Sequence, residues 1–315
     1  MTLDTETRRR LAHQLLRAVI LAGFAFLIVQ LDRNGNLTLY IAPRMTMYVK
    51  LSALALYAAA VYQLFAALQS WMGRSAAPDC DCDHTPSPSR LKNMIVYGLF
   101  LFPLLLGFLL PDTLMGSMLA AKKGMSLSGS ESINRQAIVP EPPAAGPKTQ
   151  PDPAAQADPA APVDPLDALF PADIYTESYA KNAKKLYQQE LIEVEEKQFI
   201  ETLTTLDLYR EHYIGKTVRI SGFVYRESAM PPDQFVVSRF AMNCCSADSM
   251  PYGLMIRYAN SGTFEDDSWL QVTGTLELTT YNGNEVMILQ ATASKPIPPS
   301  DTPYVYPDYD FGLDL

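Results

Sequence analysis

The chain has 315 residues, enough for two or three structural units, and a formal net charge of −9. That charge argues against nucleic acid as a partner, because phosphate binding needs clustered Lys and Arg. Four cysteines are too few to staple a secreted disulfide scaffold. The hydrophobic fraction of 48% averages a sharp split: 1–123 is dominated by apolar runs, 124–171 is rich in Pro and Ala, and 172–315 is a mixed polar domain.

Three stretches are long and apolar enough to cross a hydrocarbon core of about 30 Å, which takes ~20 helical residues. They cover residues 15–31, 48–71 and 94–110. Residues 111–121 read as a kinked or interfacial continuation of the third. Pro103 and Pro111 each free a carbonyl, so this span is expected to pack against protein as well as lipid. Arg8-Arg-Arg10 precedes the first span, but Asp32-Arg-Asn-Gly-Asn36 follows it where a small-residue cleavage site would stand, so a retained anchor is expected. His13 reads as an ordinary polar position, and Tyr40, Pro43 and Arg44 as anchoring groups at a membrane boundary.

Arg8, Arg9, Arg10 and Arg17 form the heaviest basic cluster, which puts the N-terminus in the cytoplasm. Three spans then place the C-terminal domain outside. The second loop carries Cys80-Asp-Cys-Asp-His84, in which alternate spacing puts Cys80, Cys82 and His84 on one side of an extended segment. A short Cys/His tract points to metal binding; the plain alternative is a polar loop. On this topology Cys80 and Cys82 face the reducing cytoplasm, where thiolates stay available as ligands.

Residues 124–171 have almost no aromatic or β-branched side chains and cannot offset their ordering entropy by burial. Their prolines make a semi-extended spacer.

The distal segment opens with a polar helical patch at 179–189 and a short strand at 191–194, then an amphipathic helix at 199–209. Strands follow at 216–225, 234–242, 252–258, 269–278 and 285–293, the last after the hairpin-like Tyr281-Asn-Gly-Asn284. Gly222 and Gly274 interrupt the alternation of Val218, Ile220 and Leu270, Val272, Leu276, which marks a bulge or a barrel corner. The fold class is therefore a membrane α-helical N-terminal region plus a soluble β-rich α+β domain. For that domain a small barrel of the OB type is expected, with an open sandwich as the alternative. His212 reads as an ordinary polar residue.

The most informative element is Arg239-Phe-Ala-Met-Asn-Cys-Cys-Ser-Ala-Asp248. Adjacent side chains of a strand point to opposite faces, so Cys244 and Cys245 cannot both grip one ion there. In a turn both sulfurs can converge, and Asp248 can join them. Two thiolates and a carboxylate suit Zn²⁺ or another thiophilic divalent metal with one position open. The alternatives are a vicinal disulfide, or one structural cysteine beside an incidental one.

The chain resembles the YcgQ-type family of bacterial membrane proteins, described as subunits of a two-component permease. The resemblance rests on Tyr40-Ile-Ala-Pro-Arg-Met45, Pro103-Leu-Leu-Leu-Gly-Phe-Leu-Leu-Pro111, Ala120-Ala-Lys-Lys-Gly124, Gly222-Phe-Val-Tyr225, the Arg239–Asp248 element, Trp269-Leu-Gln-Val-Thr-Gly274 and Pro303-Tyr-Val-Tyr306. It implies a multi-pass protein of the bacterial plasma membrane, a larger multi-helix permease subunit as partner, and a role in metal homeostasis. Family members often carry a His-rich second loop; here that loop has one histidine, His84.

The function expected is a membrane-anchored accessory subunit whose extracytoplasmic domain binds a metal ion, or a metal-carrying partner, through Cys244 and Cys245. The rivals are a thiol-redox module with a vicinal disulfide and a structural assembly subunit without metal. No hydrolase motif, phosphate loop or Cys-x-x-Cys element is present, so an enzyme is the least favoured class.

Overall fold

Three long apolar helices lead the chain: α1 (Thr5–Arg33), α2 (Thr46–Trp71) and α3 (Arg90–Leu109). The computed structural model describes residues 5–72, 89–110, 116–128, 165–259, 261–301 and 304–313. Within the helices, Thr7–Arg33, Pro43–Trp71 and Leu91–Leu109 are each long and apolar enough to cross a membrane, as the sequence led one to expect. The shortest has 19 residues. It rises about 28 Å, close to the thickness of the hydrocarbon core. A separate short helix, α4 (Gly116–Lys123), follows α3. Of the continuation expected at 111–121, residues 116–121 lie in α4 and 111–115 lie outside the described residues.

By packing, the chain divides into two units: Met1–Leu114 with Cys244–Ala247, and Met115–Asn243 with Asp248–Leu315. In the first, α2 runs along α1 and buries Ala53, Ala60 and Ala67, one every second turn, while α1 buries Ala18 and Ala25. Small side chains let helices approach closely, which is where attraction between helices in lipid comes from. α1 and α3 interlock through two glycine–leucine contacts. A Cβ on Gly23 would stand 2.7 Å from a methyl of Leu104, and one on Gly107 would stand 2.7 Å from a methyl of Leu27. His13 is more than an ordinary polar position: its Nδ1 is 2.9 Å from the Tyr97 hydroxyl, and the two rings stack.

The α1–α2 connection is a tight structure of its own. Gly35 takes a positive φ of 75°, and 3₁₀ turns follow at Asn36–Leu39 and Pro43–Met45. Leu37 and Ala42 are buried there, and Lys50 pairs with Asp32 at 2.8 Å.

The second unit contains helices α5 (Glu177–Tyr187), α6 (Phe199–Leu208) and the one-turn α7 (Arg210–Tyr213). Its strands are β1 (Leu191–Glu193), β2 (Thr217–Tyr225), β3 (Gln234–Ala241), β4 (Met250–Arg257), β5 (Trp269–Tyr281), β6 (Asn284–Pro296) and β7 (Tyr304–Val305). They form one mixed sheet in the order β1-β2-β5-β6-β4-β3-β7. Because β2 also pairs with β3, the five long strands are linked in a closed cycle of pairings. β1 and β7 add parallel partners to β2 and β3.

The alternation read in the sequence produces the core. Val218, Ile220, Leu270, Val272 and Leu276 are buried and pack with Phe199, Leu203 and Leu206 of α6. Gly222 lies where β2 passes from pairing with β5 to pairing with β3. Gly274 lies at a register shift between β5 and β6. At each, a Cβ would sit 2.3 Å from a backbone carbonyl oxygen, of Ser238 and Gln290 respectively, so only glycine permits the close approach. The β5–β6 hairpin turns through Asn282 and Gly283, both with positive φ (50° and 81°), as a two-residue Asn-Gly turn requires.

Candidate metal centre

β3 ends at Ala241, and two hydrogen bonds govern how the chain leaves the sheet. The Met242 N–H donates to the Val305 carbonyl of β7 at 2.9 Å, and the Asn243 N–H donates to Asp248 Oδ1 at 3.1 Å. The second bond closes a six-residue turn, 243–248, with an acidic side chain across its mouth. A further brace comes from the C-terminal segment, where the Tyr309 hydroxyl donates to Asn243 Oδ1 at 2.6 Å. Beyond the turn, Lys123 Nζ donates to the carbonyl of the buried Ser249 at 2.6 Å.

Inside this turn Cys244 and Cys245 are half-buried and not joined by a disulfide; their sulfurs are 3.6 Å apart. One ligand atom from each of Cys244, Cys245 and the exposed Asp248 lies within 4.8 Å of the others. The turn thus achieves the convergence that a straight strand forbids. Two thiolates on one tetrahedral zinc, each about 2.3 Å from the metal, stand about 3.8 Å apart. The observed separation matches that figure, whereas a disulfide needs about 2.05 Å. The donor set is thiolate-rich with one carboxylate, which favours zinc-like ions over Mg²⁺ or Ca²⁺.

Within the first unit, Cys245 and Ile41 are antiparallel partners. The Ala42 N–H donates to the Cys244 carbonyl at 3.0 Å, and the Ser246 N–H donates to the Tyr40 carbonyl at 2.8 Å. Tyr40 therefore takes part in more than anchoring. Sequence reasoning missed this pairing, since nothing local marks two segments so far apart as partners.

Arg239, grouped with the cysteines in the sequence motif, has other work. It is 4% exposed, and its Nη2 lies 3.0 Å from Glu196 and 3.4 Å from the Ser300 hydroxyl. Its guanidinium lies 4.9 Å over the Trp269 ring. It thereby ties β3 to two loops and to the start of β5. Cys80, Cys82 and His84 lie outside the described residues.

The sequence also gave no warning of Glu201. It sits on α6 with 4% exposure; Oε1 accepts the Asp308 N–H at 2.8 Å, and Oε2 is buried with no hydrogen bond. Burial pushes its carboxyl up to about 7, and the neighbouring Asp308 carboxylate adds to the rise.

The fold and the thiol turn together define a class: a membrane protein with three candidate spanning helices and a distal mixed-sheet domain. Residues 16–126 match the DUF1980 N-terminal domain and residues 169–307 match the DUF1980 C-terminal domain, so the chain belongs to the DUF1980 family. It is 26% identical over 318 residues to the UPF0703 protein YcgQ of Bacillus subtilis (strain 168), covering 93% of this chain and 99% of that protein. It is 22% identical over 295 residues to a Streptococcus mutans protein whose name describes a two-component membrane permease complex subunit, with the same coverage of 93% and 99%. The resemblance drawn from the sequence motifs is borne out.

Proposed function

We propose that this chain is the membrane-anchored accessory subunit of a permease complex, and that its cysteine turn holds a thiophilic divalent metal, Zn²⁺ being the best fit. The subunit reading draws on the name of the Streptococcus mutans relative and on the three apolar helices. The metal reading rests on one observation: Cys244 and Cys245 hold their sulfurs 3.6 Å apart with Asp248 close by. Three protein ligands leave a fourth position for water, a cargo group or a donor from the larger subunit. We further read the closed cycle of strands as the OB type, and the distal domain as extracytoplasmic.

The test is elemental analysis of the full-length protein, purified in detergent without chelators. About one zinc per chain is expected. Cys244→Ser and Cys245→Ser should each lose it, and retention of zinc by both variants overturns the metal reading. Because thiol protons leave on binding, affinity should fall steeply as pH drops below neutrality. The redox rival gives a different result: a Cys244–Cys245 disulfide in mass spectra of the protein as isolated, without metal. For orientation, a membrane-impermeant thiol reagent on intact cells should label a cysteine introduced at an exposed position of the distal domain, such as Glu265→Cys, and spare Cys80 and Cys82; the reverse pattern inverts the topology.

A further inference from the structure

Residues 244–246 do not stand alone: Cys245 forms an isolated antiparallel bridge with Ile41 of the α1–α2 connection. The two backbone hydrogen bonds, from Ala42 N–H to Cys244 and from Ser246 N–H to Tyr40, flank the Ile41–Cys245 pair on either side. In an antiparallel ladder this is the non-hydrogen-bonded kind of pair, in which the side chains of the two partners come closest. Cys245 is thus held extended while the bend before it carries Cys244, and that sequence of conformations brings two adjacent sulfurs to one side.

The segment that does the holding is itself well fixed. Ala42 is 1% exposed, the Thr46 hydroxyl donates to the Pro43 carbonyl at 2.7 Å, and the Tyr40 and Ile41 amides both donate to the Leu37 carbonyl. The connection joins directly to the ends of α1 and α2, with the Lys50–Asp32 pair bridging them.

We propose that this backbone pairing is the positioning device of the cysteine pair: Tyr40–Ala42 sets the two thiols at ligating distance, and an ion held by both thiols tightens the α1–α2 connection in return. The second half follows from the first by reciprocity, since whatever free energy the pairing lends to metal binding, metal binding lends to the pairing. It makes the α1–α2 hairpin a reporter of whether the thiols are occupied. The proposal rests on the metal reading above but can fail separately from it.

Ala42→Pro removes the donor. Ala42 already has φ −58° and ψ 143°, within proline's range, so the backbone accepts the substitution; because the ring adds atoms at a position that is 1% exposed, the thermal midpoint of the variant is measured beside its affinity. Ala42→Gly keeps the donor and is the control. Zinc affinity is measured on full-length protein in detergent, by competition with a chromophoric chelator. Loss of the bond should weaken binding about tenfold in Ala42→Pro, the effect of one net hydrogen bond, and far less in Ala42→Gly. In the wild type, zinc should slow hydrogen–deuterium exchange at the Ala42 and Ser246 amides. Equal affinity in wild type and Ala42→Pro overturns the proposal. If the wild type holds no zinc, the metal reading falls, and the positioning role is judged by the rates at which iodoacetamide alkylates Cys244 and Cys245. Unchanged rates in Ala42→Pro then overturn it as well.

Discussion

Glu201 accepts the backbone N–H of Asp308 through one carboxylate oxygen and buries the other without a hydrogen bond. α6 is thereby joined to the C-terminal segment by a group that burial makes reluctant to ionise. Lys197 stands 3.8 Å from Asp308, and Gln198 Nε2 donates to Asp308 at 3.1 Å, so the positive charge and amide nearby serve Asp308.

A pH dependence follows. The Glu201 carboxyl titrates at about 7 in the folded protein against an ordinary 4.5, so its protonated form favours folding. That contribution is fully present below pH 4.5 and is lost as pH rises through 7. Replacement by Gln removes the ionisation and should raise stability at pH 8 by up to about 3 kcal/mol. Thermal unfolding of wild type and Glu201→Gln across pH 4.5–8 checks this: the variant should show the shallower slope, and parallel slopes would refute the assignment.

Arg239→Met should destabilise the distal unit by about 1–3 kcal/mol, measured by urea unfolding followed through tryptophan fluorescence. The figure is below that for a fully buried ion pair because the Glu196 side chain is 54% exposed and recovers water when its partner leaves. Arg239→Lys should restore only part, since a lysine cannot spread over the Trp269 ring as the guanidinium does.

Gly222→Ala and Gly274→Ala should each cost roughly 2–4 kcal/mol, because the added methyl meets a carbonyl oxygen and the backbone itself must shift. Gly262→Ala, where nothing lies within 4 Å of the added atom, is the control and should stay within about 0.5 kcal/mol.

In the helical unit, Gly107→Val drives a side chain into Leu27 and should loosen α3 from α1. Disulfide trapping of a Gly23→Cys/Leu104→Cys pair gives the readout, with efficient crosslinking in the parent and a clear drop when Gly107→Val is added.

Much of this architecture is written locally. The long apolar runs, the Asn282-Gly283 turn and the strand glycines Gly222 and Gly274 each act through their own backbone or their own periodicity, and the structure puts each where its chemistry requires. The turn that gathers Cys244, Cys245 and Asp248 was legible for the same reason: side-chain alternation rules out a strand for two converging thiols. What could not be read is non-local. β7 is two residues long and is a strand only because β3 has an edge to offer. Glu201 sits on a helix whose polar residues are buried along with its apolar ones, so no stripe separates it from solvent-facing glutamates. The Ile41–Cys245 pair joins residues about two hundred positions apart, with no periodicity to announce it.

That same pair sets an order of events in the making of the protein. Ile41 leaves the ribosome long before Cys245 exists, so the Ala42 N–H and the Tyr40 carbonyl meet their partners only after about two hundred further residues have been added. The Ile41–Cys245 bridge is consequently a late contact of the chain, made only after the helices flanking Ile41 have been synthesised.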